Sequence, residues 1–167
     1  MKNVVLIGMP GAGKSTLGVL LAKALNMDFI DSDISIQKYT GELLCETIGR
    51  EGIDAFLDIE QKVILGLDCT NTIIATGGSA VYGQDAMMHL KENAIVVYIK
   101  LSVDEIVHRV SDITSRGVVV KHGKTIYDAF DERVPLYNKY ADIIIDCNEK
   151  DIEHCVREIK DLIEKAI

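Results

Sequence analysis

The chain has 167 residues, of which 48% are hydrophobic, and its formal net charge is −8 at pH 7. This length fits one domain with a hydrophobic core, so we expect residues 1–167 to form a single domain that acts as a monomer. The acidic balance, without a cluster of lysine and arginine, argues against nucleic acid as a partner. Because no apolar run approaches the roughly 20 residues that span a bilayer, we expect no membrane partner and a cytoplasmic location.

Short apolar runs alternate along the chain with longer amphipathic stretches. The runs are rich in β-branched residues and apolar on both faces, which is typical of strands buried in a parallel sheet. They are Val4–Ile7, Phe29–Ile30, Thr72–Ala75, Ile95–Ile99 and Ile143–Ile145. Helices are predicted over Lys14–Leu25, Ile34–Tyr39, Ile53–Leu67, Asp85–Glu92, Val103–Val110, Ile126–Tyr140 and Asp151–Ala166. The alternation predicts a three-layer α/β/α fold, in which helices cover both faces of a five-stranded parallel sheet.

The first predicted strand leads into Gly8-Met9-Pro10-Gly11-Ala12-Gly13-Lys14-Ser15-Thr16. This segment matches G-x-x-x-x-G-K-[ST] between a strand and a helix, which is the context of a phosphate-binding loop, or P-loop. Its glycines let backbone N–H groups surround phosphates, and the following helix directs its positive end at the same anion. The residues predicted to bind nucleotide are Gly11, Ala12, Gly13, Lys14, Ser15 and Thr16. Lys14 would reach the β- and γ-phosphates and Ser15 would bind Mg²⁺. An ordinary glycine-rich turn is the alternative.

Asp31 and Asp33 follow the second predicted strand and lie two residues apart. Ligands of such sheets bind at the carboxyl ends of the strands, so both carboxylates are expected near the P-loop. Asp31 is predicted to hold Mg²⁺ through water, and Asp33 to orient or deprotonate an acceptor hydroxyl. Either carboxylate could instead cap the helix that begins near Ile34.

Two later segments offer contacts for an acceptor molecule. Gly77, Gly78 and Ser79 follow the third predicted strand, where small residues let a ligand approach backbone N–H groups; a plain strand-to-helix turn is the alternative. Arg133 lies on a predicted helix that Pro135 is expected to kink or shift. We expect Arg133 to grip a carboxylate bidentately, and the alternative is an exposed partner of an i,i+4 ion pair.

Residues 112–124 contain two glycines, four basic or histidine side chains and no clear period. We expect a mobile lid over this segment, with a plain surface loop as the alternative. Arg109 ends the helix before the lid and Arg116 lies within it. Either arginine could contact adenine or neutralise charge on the transferring phosphoryl group.

In their order and spacing, these motifs resemble those of the shikimate kinase family. The resemblance is carried by the P-loop, Asp31-Ser32-Asp33, the Glu51…Phe56…Glu60 pattern, Ala75-Thr76-Gly77-Gly78, Glu132-Arg133-x-Pro135-Leu136-Tyr137 and Ala141-Asp142. It covers nearly the whole chain and implies a nucleoside-monophosphate-kinase-like P-loop fold. It also implies phosphorylation of the 3-hydroxyl of shikimate in aromatic amino-acid biosynthesis, with ATP and Mg²⁺ as cofactors and a small hydroxy acid as acceptor.

The resemblance implies roles for individual residues as well. Asp33 and Arg133 match acceptor-binding positions, Asp31 and Ser15 match metal positions, and Arg109 and Arg116 match nucleotide positions. Lys14 and Asp33 are the predicted catalytic residues. Residues 33–62 correspond to an acceptor-binding helical segment, and residues 112–124 to a lid that closes over ATP. Such closure excludes water, so that the acceptor receives the phosphoryl group.

The chain departs from the family pattern on the acceptor side. The family carries an arginine directly after the helical phenylalanine, where it grips the shikimate carboxylate, but Phe56 is followed here by Leu57. Ser79 replaces a third consecutive glycine, and Arg116-Gly117-Val118-Val119-Val120 replaces an Arg-Pro-Leu-Leu element of the lid. The nucleotide half of the pattern is therefore intact, and the acceptor half is altered.

Losing one partner of a buried charge pair costs roughly 2–5 kcal/mol, or about 30-fold to several thousand-fold in kcat/KM without compensation. Arg133 alone could hold the carboxylate, and Lys121 or Lys124 of the lid could substitute for the missing arginine. We therefore expect a kinase of shikimate. The alternatives are a kinase of another small hydroxylated metabolite and an ATP-binding protein with little transfer activity.

Overall fold

A computed structural model describes residues 2–110 and 117–166. Its centre is a five-stranded parallel sheet in which the strands lie in the order β2-β3-β1-β4-β5. The strands are β1 (Asn3–Ile7), β2 (Asp28–Asp31), β3 (Thr72–Ala75), β4 (Ala94–Lys100) and β5 (Ile143–Asp146). The predicted number, direction and approximate bounds of the strands are confirmed.

Within the described residues, eight α-helices and one 3₁₀ turn (Ala80–Tyr82) connect the strands. The helices are α1 (Lys14–Leu25), α2 (Ser32–Thr40), α3 (Leu44–Glu51), α4 (Ile53–Leu65), α5 (Gln84–Glu92), α6 (Val103–Arg109), α7 (Ile126–Tyr140) and α8 (Ile152–Ala166). Helix α3 and the 3₁₀ turn were not predicted from the sequence. Helix α3 has only eight residues and is followed directly by Gly52, so its apolar periodicity is too brief to stand out. None of the described helices combines the length and hydrophobicity that crossing a membrane requires.

The central strand β1 shows why the sheet forms the core. Val4, Val5, Leu6 and Ile7 have no exposed surface, because β3 and β4 flank the strand and helices cover both faces. Strands that are buried on both faces have continuous apolar runs in the sequence, and these runs allowed the strands to be predicted. The carboxyl ends of the parallel strands meet at one edge of the sheet, and the candidate site lies there.

A second, smaller apolar cluster lies beside this edge. Ile36 of α2, Leu44 of α3, Phe56 of α4 and Val119 are buried together, and Leu57 packs against them while staying partly exposed. The cluster joins three helices of the predicted acceptor segment to the part of the chain that precedes α7. Three of its buried members, Leu44, Phe56 and Val119, line the cavity at this edge of the sheet.

Helix α7 begins at a capping box between Thr125 and Asp128 and runs without interruption through Pro135. Arg133 is only 1% exposed. The alternative in which Arg133 is an exposed ion-pair partner is therefore wrong, because its face of the helix is turned towards the core.

Candidate active site

The P-loop connects β1 to α1 and follows the backbone path that its glycines allow. Gly11 and Gly13 have φ angles of 77° and 89°, a region that side chains disfavour. A Cβ at Gly11 would also lie 2.7 Å from a methyl carbon of Val110, at the end of α6. No side chain of the described residues caps Gly13 at the start of α1. The first N–H groups of the helix are therefore available to an anion.

Lys14 lies across this loop rather than in solvent. Its ammonium group donates hydrogen bonds to the backbone carbonyls of Gly8 and Met9, each at 2.8 Å. Burial lowers the pKa of Lys14 to about 8, and the nearby Asp33 carboxylate opposes that shift. The charge is thus kept beside the P-loop, where a phosphate oxygen could replace the carbonyls.

Ser15 and Asp31 meet at the mouth of the loop. The Ser15 hydroxyl donates to Asp31 Oδ2 at 2.6 Å, while Asp31 Oδ1 accepts from the Asp33 N–H at 2.9 Å and so caps α2. Asp31 therefore caps α2, which was the alternative considered from the sequence, and it also lies beside Ser15, the other residue predicted to hold Mg²⁺. In the described part of the chain, no group of three or more His, Cys, Asp or Glu side chains forms a metal cluster. A hydroxyl and a carboxylate suit Mg²⁺, which keeps several waters and binds through substrate phosphates.

Asp33 faces the cavity from the first turn of α2, next to the loop after β3. A Cβ at Gly77 would lie 2.8 Å from Asp33 Oδ1 and 2.6 Å from Oε1 of Glu60. Glycine is thus required at position 77 for these two carboxylates to approach the same small space. Burial, with a smaller contribution from Asp31, raises the pKa of Asp33 to about 6, and Lys14 acts in the opposite direction.

Glu60 was part of the family pattern but was not among the predicted site residues. It is 2% exposed, and its Oε2 accepts a hydrogen bond from the Ser79 hydroxyl at 2.6 Å. Burial is the main cause that raises the pKa of Glu60 to about 7. A signal was present in the sequence: Phe56, Glu60 and Ile64 recur at intervals of four and form the buried face of α4.

Arg133 is a buried cationic side chain at the end of the cavity that is predicted to bind the acceptor. Its Nε donates to the Tyr82 hydroxyl at 3.2 Å, and its Nη2 donates to the backbone carbonyl of Val119. Two buried atoms lack a hydrogen-bond partner within the described residues: Nη1 of Arg133 and Oε1 of Glu60. We call this pair the open polar atoms. One is a donor and the other an acceptor, so a polar ligand could satisfy both.

Tyr137 fixes the loop that follows β3. Its hydroxyl donates to the Gly78 carbonyl at 2.6 Å, and its ring stacks on Tyr98 of β4 with centroids 5.0 Å apart. A Cβ at Gly78 would lie 2.5 Å from Cδ of Pro10, so the loop and the P-loop are in direct contact. This packing holds the predicted nucleotide and acceptor segments at a fixed separation.

A cavity of about 430 Å³ joins these groups. Its polar lining includes Lys14, Ser15, Asp33, Glu60, Ser79, Arg109 and Arg133. An apolar wall is formed by Leu44, Phe56, Val118 and Val119. Most of the residues predicted from the sequence are thus brought together around one space.

Some predicted residues lie elsewhere. Arg116 lies outside the described residues. Leu57 belongs to the second apolar cluster and is not among the described residues that line the cavity. The two lysines considered as substitutes for the missing arginine have other neighbours. Lys121 lies 5.5 Å from the centre of the Tyr82 ring, and Lys124 pairs with Glu132 at 3.2 Å.

The nucleotide end of the cavity includes Arg109, at the end of α6. Its Nε donates to Glu105 at 2.7 Å, and its Nη1 lies 3.4 Å from the Gly11 carbonyl of the P-loop. The side chain is partly exposed, so the ion pair with Glu105 contributes little to stability. Arg109 is therefore free to exchange that partner for a charged ligand.

Comparison with known proteins identifies the family to which the chain belongs. The shikimate kinase family model matches residues 10–164. Shikimate kinase of Clostridium botulinum (strain Alaska E43 / Type E3) is 41% identical over 169 residues, with 98% of each chain covered. Shikimate kinase of Francisella philomiragia is 34% identical, with 99% of this chain and 97% of the relative covered.

Solved structures give the same result for the fold. Shikimate kinase from Acinetobacter baumannii in complex with shikimate superposes with a TM-score of 0.91 at 30% identity, over 99% of this chain and 94% of that one. Shikimate kinase from Aquifex aeolicus has a TM-score of 0.81 at 30% identity, over 97% and 96%. The chain therefore belongs to the shikimate kinase family, whose members are ATP-dependent phosphotransferases that act on a hydroxyl group.

Proposed function

We propose that this protein transfers the γ-phosphoryl group of ATP, with Mg²⁺, to the 3-hydroxyl of shikimate. The observation that carries the proposal is the cavity that runs from the P-loop to Asp33 and the open polar atoms. Family membership supports it, and so does the relative from Acinetobacter baumannii, whose structure contains shikimate.

At one end of the cavity, we assign nucleotide binding to the P-loop. The backbone N–H groups from Gly11 to Thr16, together with Lys14, would hold the phosphates. Ser15 and Asp31 would hold Mg²⁺, which neutralises charge on the transferring group when it is bound. Arg109 is assigned to the nucleotide side, and so is Arg116 by family resemblance.

The chemical step is assigned to Asp33 and Lys14. Asp33 orients the acceptor hydroxyl and takes its proton as the hydroxyl oxygen bonds to phosphorus, while the bond to the ADP oxygen breaks. Lys14 keeps its positive charge beside the phosphates through this step. Gly77, Gly78 and Ser79 form the floor on which the acceptor lies, and Arg133 holds its carboxylate.

One substitution favours a second candidate, a kinase of another small hydroxylated metabolite. Leu57 replaces a carboxylate-binding arginine of the family, and the cavity wall beside it is apolar. Among the described lining residues, the cations are Lys14, Arg109 and Arg133, and only Arg133 lies at the acceptor end. A carboxylate would thus be held by one arginine instead of two.

Measuring ADP release against a panel of hydroxy acids, polyols and nucleosides, with shikimate included, tests the proposal. We expect shikimate-dependent release that falls about 10²–10⁴-fold in Asp33→Asn, because the amide cannot take the proton. Asp28→Asn is a matched control, since Asp28 is exposed at the start of β2. ATP binding without turnover of any acceptor would contradict the kinase assignment. Release with another acceptor alone would favour the second candidate.

A further inference from the structure

One tyrosine hydroxyl joins the two loops between which the proposed reaction takes place. We call residues 76–79, which follow β3, the β3 loop. The Tyr137 hydroxyl donates to the Gly78 carbonyl of this loop at 2.6 Å, and it lies 3.7 Å from Sδ of Met9 in the P-loop. Because a hydroxyl has a single proton, the carbonyl takes the hydrogen bond and the sulfur is a packing contact. Tyr137 therefore contacts both loops through one atom.

The Tyr137 ring is held in place by its surroundings. It has no exposed surface, and it stacks on the Tyr98 ring with an angle of 26° between the planes. Tyr98 is paired with Ile7, the last residue of β1 before the P-loop. The hydroxyl thus holds the β3 loop from a position that is fixed against the strand carrying the P-loop. Burial also raises the pKa of Tyr137, so the hydroxyl stays protonated and remains a donor at neutral pH.

Two further contacts define how near the two loops lie. At the base of the β3 loop, the hydroxyl and the N–H of Thr76 both donate to the Leu6 carbonyl of β1, at 3.0 and 3.2 Å. Further along, the backbone of Gly78 lies against the ring of Pro10, since a Cβ at Gly78 would be only 2.5 Å from Cδ of Pro10. The proline ring prevents the loops from coming closer, and the Tyr137 hydrogen bond prevents them from separating.

Tyr137 does not itself line the cavity between these loops. Pro10 and Gly78 are among the described lining residues, whereas Tyr137 and Met9 are not. A bound nucleotide or acceptor would therefore meet the two loops but not the hydroxyl that joins them. In the proposed function, the P-loop holds the γ-phosphate and the β3 loop supports the acceptor. The separation of the loops then sets the distance between the reacting atoms.

Phosphoryl transfer depends steeply on that distance. The attacking and leaving oxygens lie roughly in line with phosphorus, and a misplacement of about 1 Å costs about 10²-fold in rate. The affinity for each ligand depends less on the distance, because each ligand binds mainly to its own loop. A group that fixes the separation is therefore expected to act on the rate of transfer rather than on KM.

We propose that Tyr137 is a positioning residue for phosphoryl transfer, whose hydroxyl fixes the separation of the P-loop and the β3 loop and so aligns the acceptor hydroxyl with the γ-phosphate. This inference rests on the proposed function of the cavity. Tyr137 follows Arg133 by one turn of α7, so one face of this helix serves both acceptor binding and alignment.

Tyr137→Phe tests the proposal because it keeps the ring and removes the hydroxyl. We expect the single-turnover rate of transfer to saturating shikimate to fall about 10-fold or more, while the KM values for shikimate and ATP stay within about 3-fold of the original. Rates are expressed per nucleotide-binding site, counted by calorimetry with a non-hydrolysable ATP analogue, so that loss of folded protein does not lower them.

Tyr127→Phe is the matched control, since Tyr127 is 48% exposed on the same helix, and its rate should stay the same. An unchanged rate per site in Tyr137→Phe would overturn the inference. A rise in the shikimate KM that accounts for the whole loss of kcat/KM would also overturn it, because Tyr137 would then act on binding.

Gly78→Ala tests the same separation from the opposite side. Its Cβ would lie 2.5 and 2.8 Å from Cδ and Cγ of Pro10 and push the loops apart, while the φ angle of Gly78 is not positive and accepts alanine. Pro10→Ala removes both of those carbons. The two changes together should therefore lower the single-turnover rate less than the product of their separate effects. Independent effects would overturn the inference.

A protein that transfers nothing to shikimate would contradict the proposed function, and hydrogen exchange then decides the inference. Filling the P-loop with Mg²⁺ and a non-hydrolysable ATP analogue should slow exchange in the β3 loop of the unmodified protein, because Tyr137 links the two loops. In Tyr137→Phe, the P-loop should still be protected while the β3 loop loses that protection. Equal exchange of the β3 loop in the two proteins would overturn the inference.

Discussion

Lys14 and Asp33 are opposite charges that meet where the two ends of the cavity join. Burial acts against both charges, and each side chain favours the charged form of the other. The pKa of Asp33 is raised to about 6 and that of Lys14 is lowered to about 8. Both groups are therefore predominantly ionised near pH 7, as the proposed step requires.

We expect a bell-shaped pH dependence of the turnover rate when ATP and the acceptor are both far below their KM values, so that the ligand-free protein is the reference state. The rate rises as pH increases through about 6, because Asp33 must be ionised to take a proton, and falls above about 8, as Lys14 loses its charge. Steady-state rates measured from about pH 5 to pH 9 give the apparent pKa values of the rise and of the fall. A profile that stays flat across this range would remove Asp33 from the role of base.

Individual residues also mark the limits of what could be predicted. The P-loop residues were identifiable because their motif depends on local backbone chemistry. Glu60 was missed as a site residue because an acid on an apolar helix face indicates burial, but not which partner it meets. Leu57 packs in the second apolar cluster and is not among the described residues that line the cavity. Its position depends on how α3 and Val119 pack, which the sequence alone does not show.

At the scale of elements, α1 and α7 have the bounds predicted for them. Helix α1 follows a P-loop glycine, and α7 starts at a capping box, so local chemistry defines both starts. Helix α3 has only half of such a box: the Glu46 carboxylate accepts a hydrogen bond from the Leu43 N–H, but the Leu43 side chain carries no acceptor. Much of its stability comes from burying Leu44 and Thr47 against neighbouring helices. Its existence is a tertiary effect that periodicity over eight residues does not reveal.

A substitution on helix α7 tests the role of this element in acceptor binding. Arg133→Ala should raise the acceptor KM well over 10-fold, because one partner of a buried charge pair is removed. The KM for ATP should change far less, since Arg133 lies at the acceptor end. Lys139→Ala, an exposed change on the same helix, serves as the control. Unchanged acceptor KM in Arg133→Ala would contradict a role in acceptor binding.

At the scale of the whole molecule, the proposed nucleotide and acceptor sides lie at the same edge of one sheet. The nucleotide side is built on β1, α1 and the end of α6, which follow the family pattern closely. The acceptor side is built on α2, α3, α4 and α7, and it contains the substitutions at Leu57 and Ser79. This division explains why the phosphoryl donor, ATP, was easier to predict from the sequence than the molecule that accepts the phosphoryl group.

Leu57→Arg tests this division. If shikimate is the acceptor, restoring the arginine should improve kcat/KM for shikimate by about 10-fold, less than a fully buried pair would give because position 57 is partly exposed. The KM for ATP should stay the same. Leu65→Arg, an exposed change on the same helix α4, controls for added charge at the surface. No gain with shikimate would favour a different acceptor.

The position of the Tyr82 ring has an optical consequence. The chain contains six tyrosines and no tryptophan, and one tyrosine, Tyr82, lies beneath the Arg133 guanidinium, 5.2 Å from its ring centre. A tryptophan placed at position 82 would be the single indole fluorophore of the molecule, directly beside the group that faces the acceptor. Its emission would follow occupancy of the acceptor end in real time, without a label and without turnover.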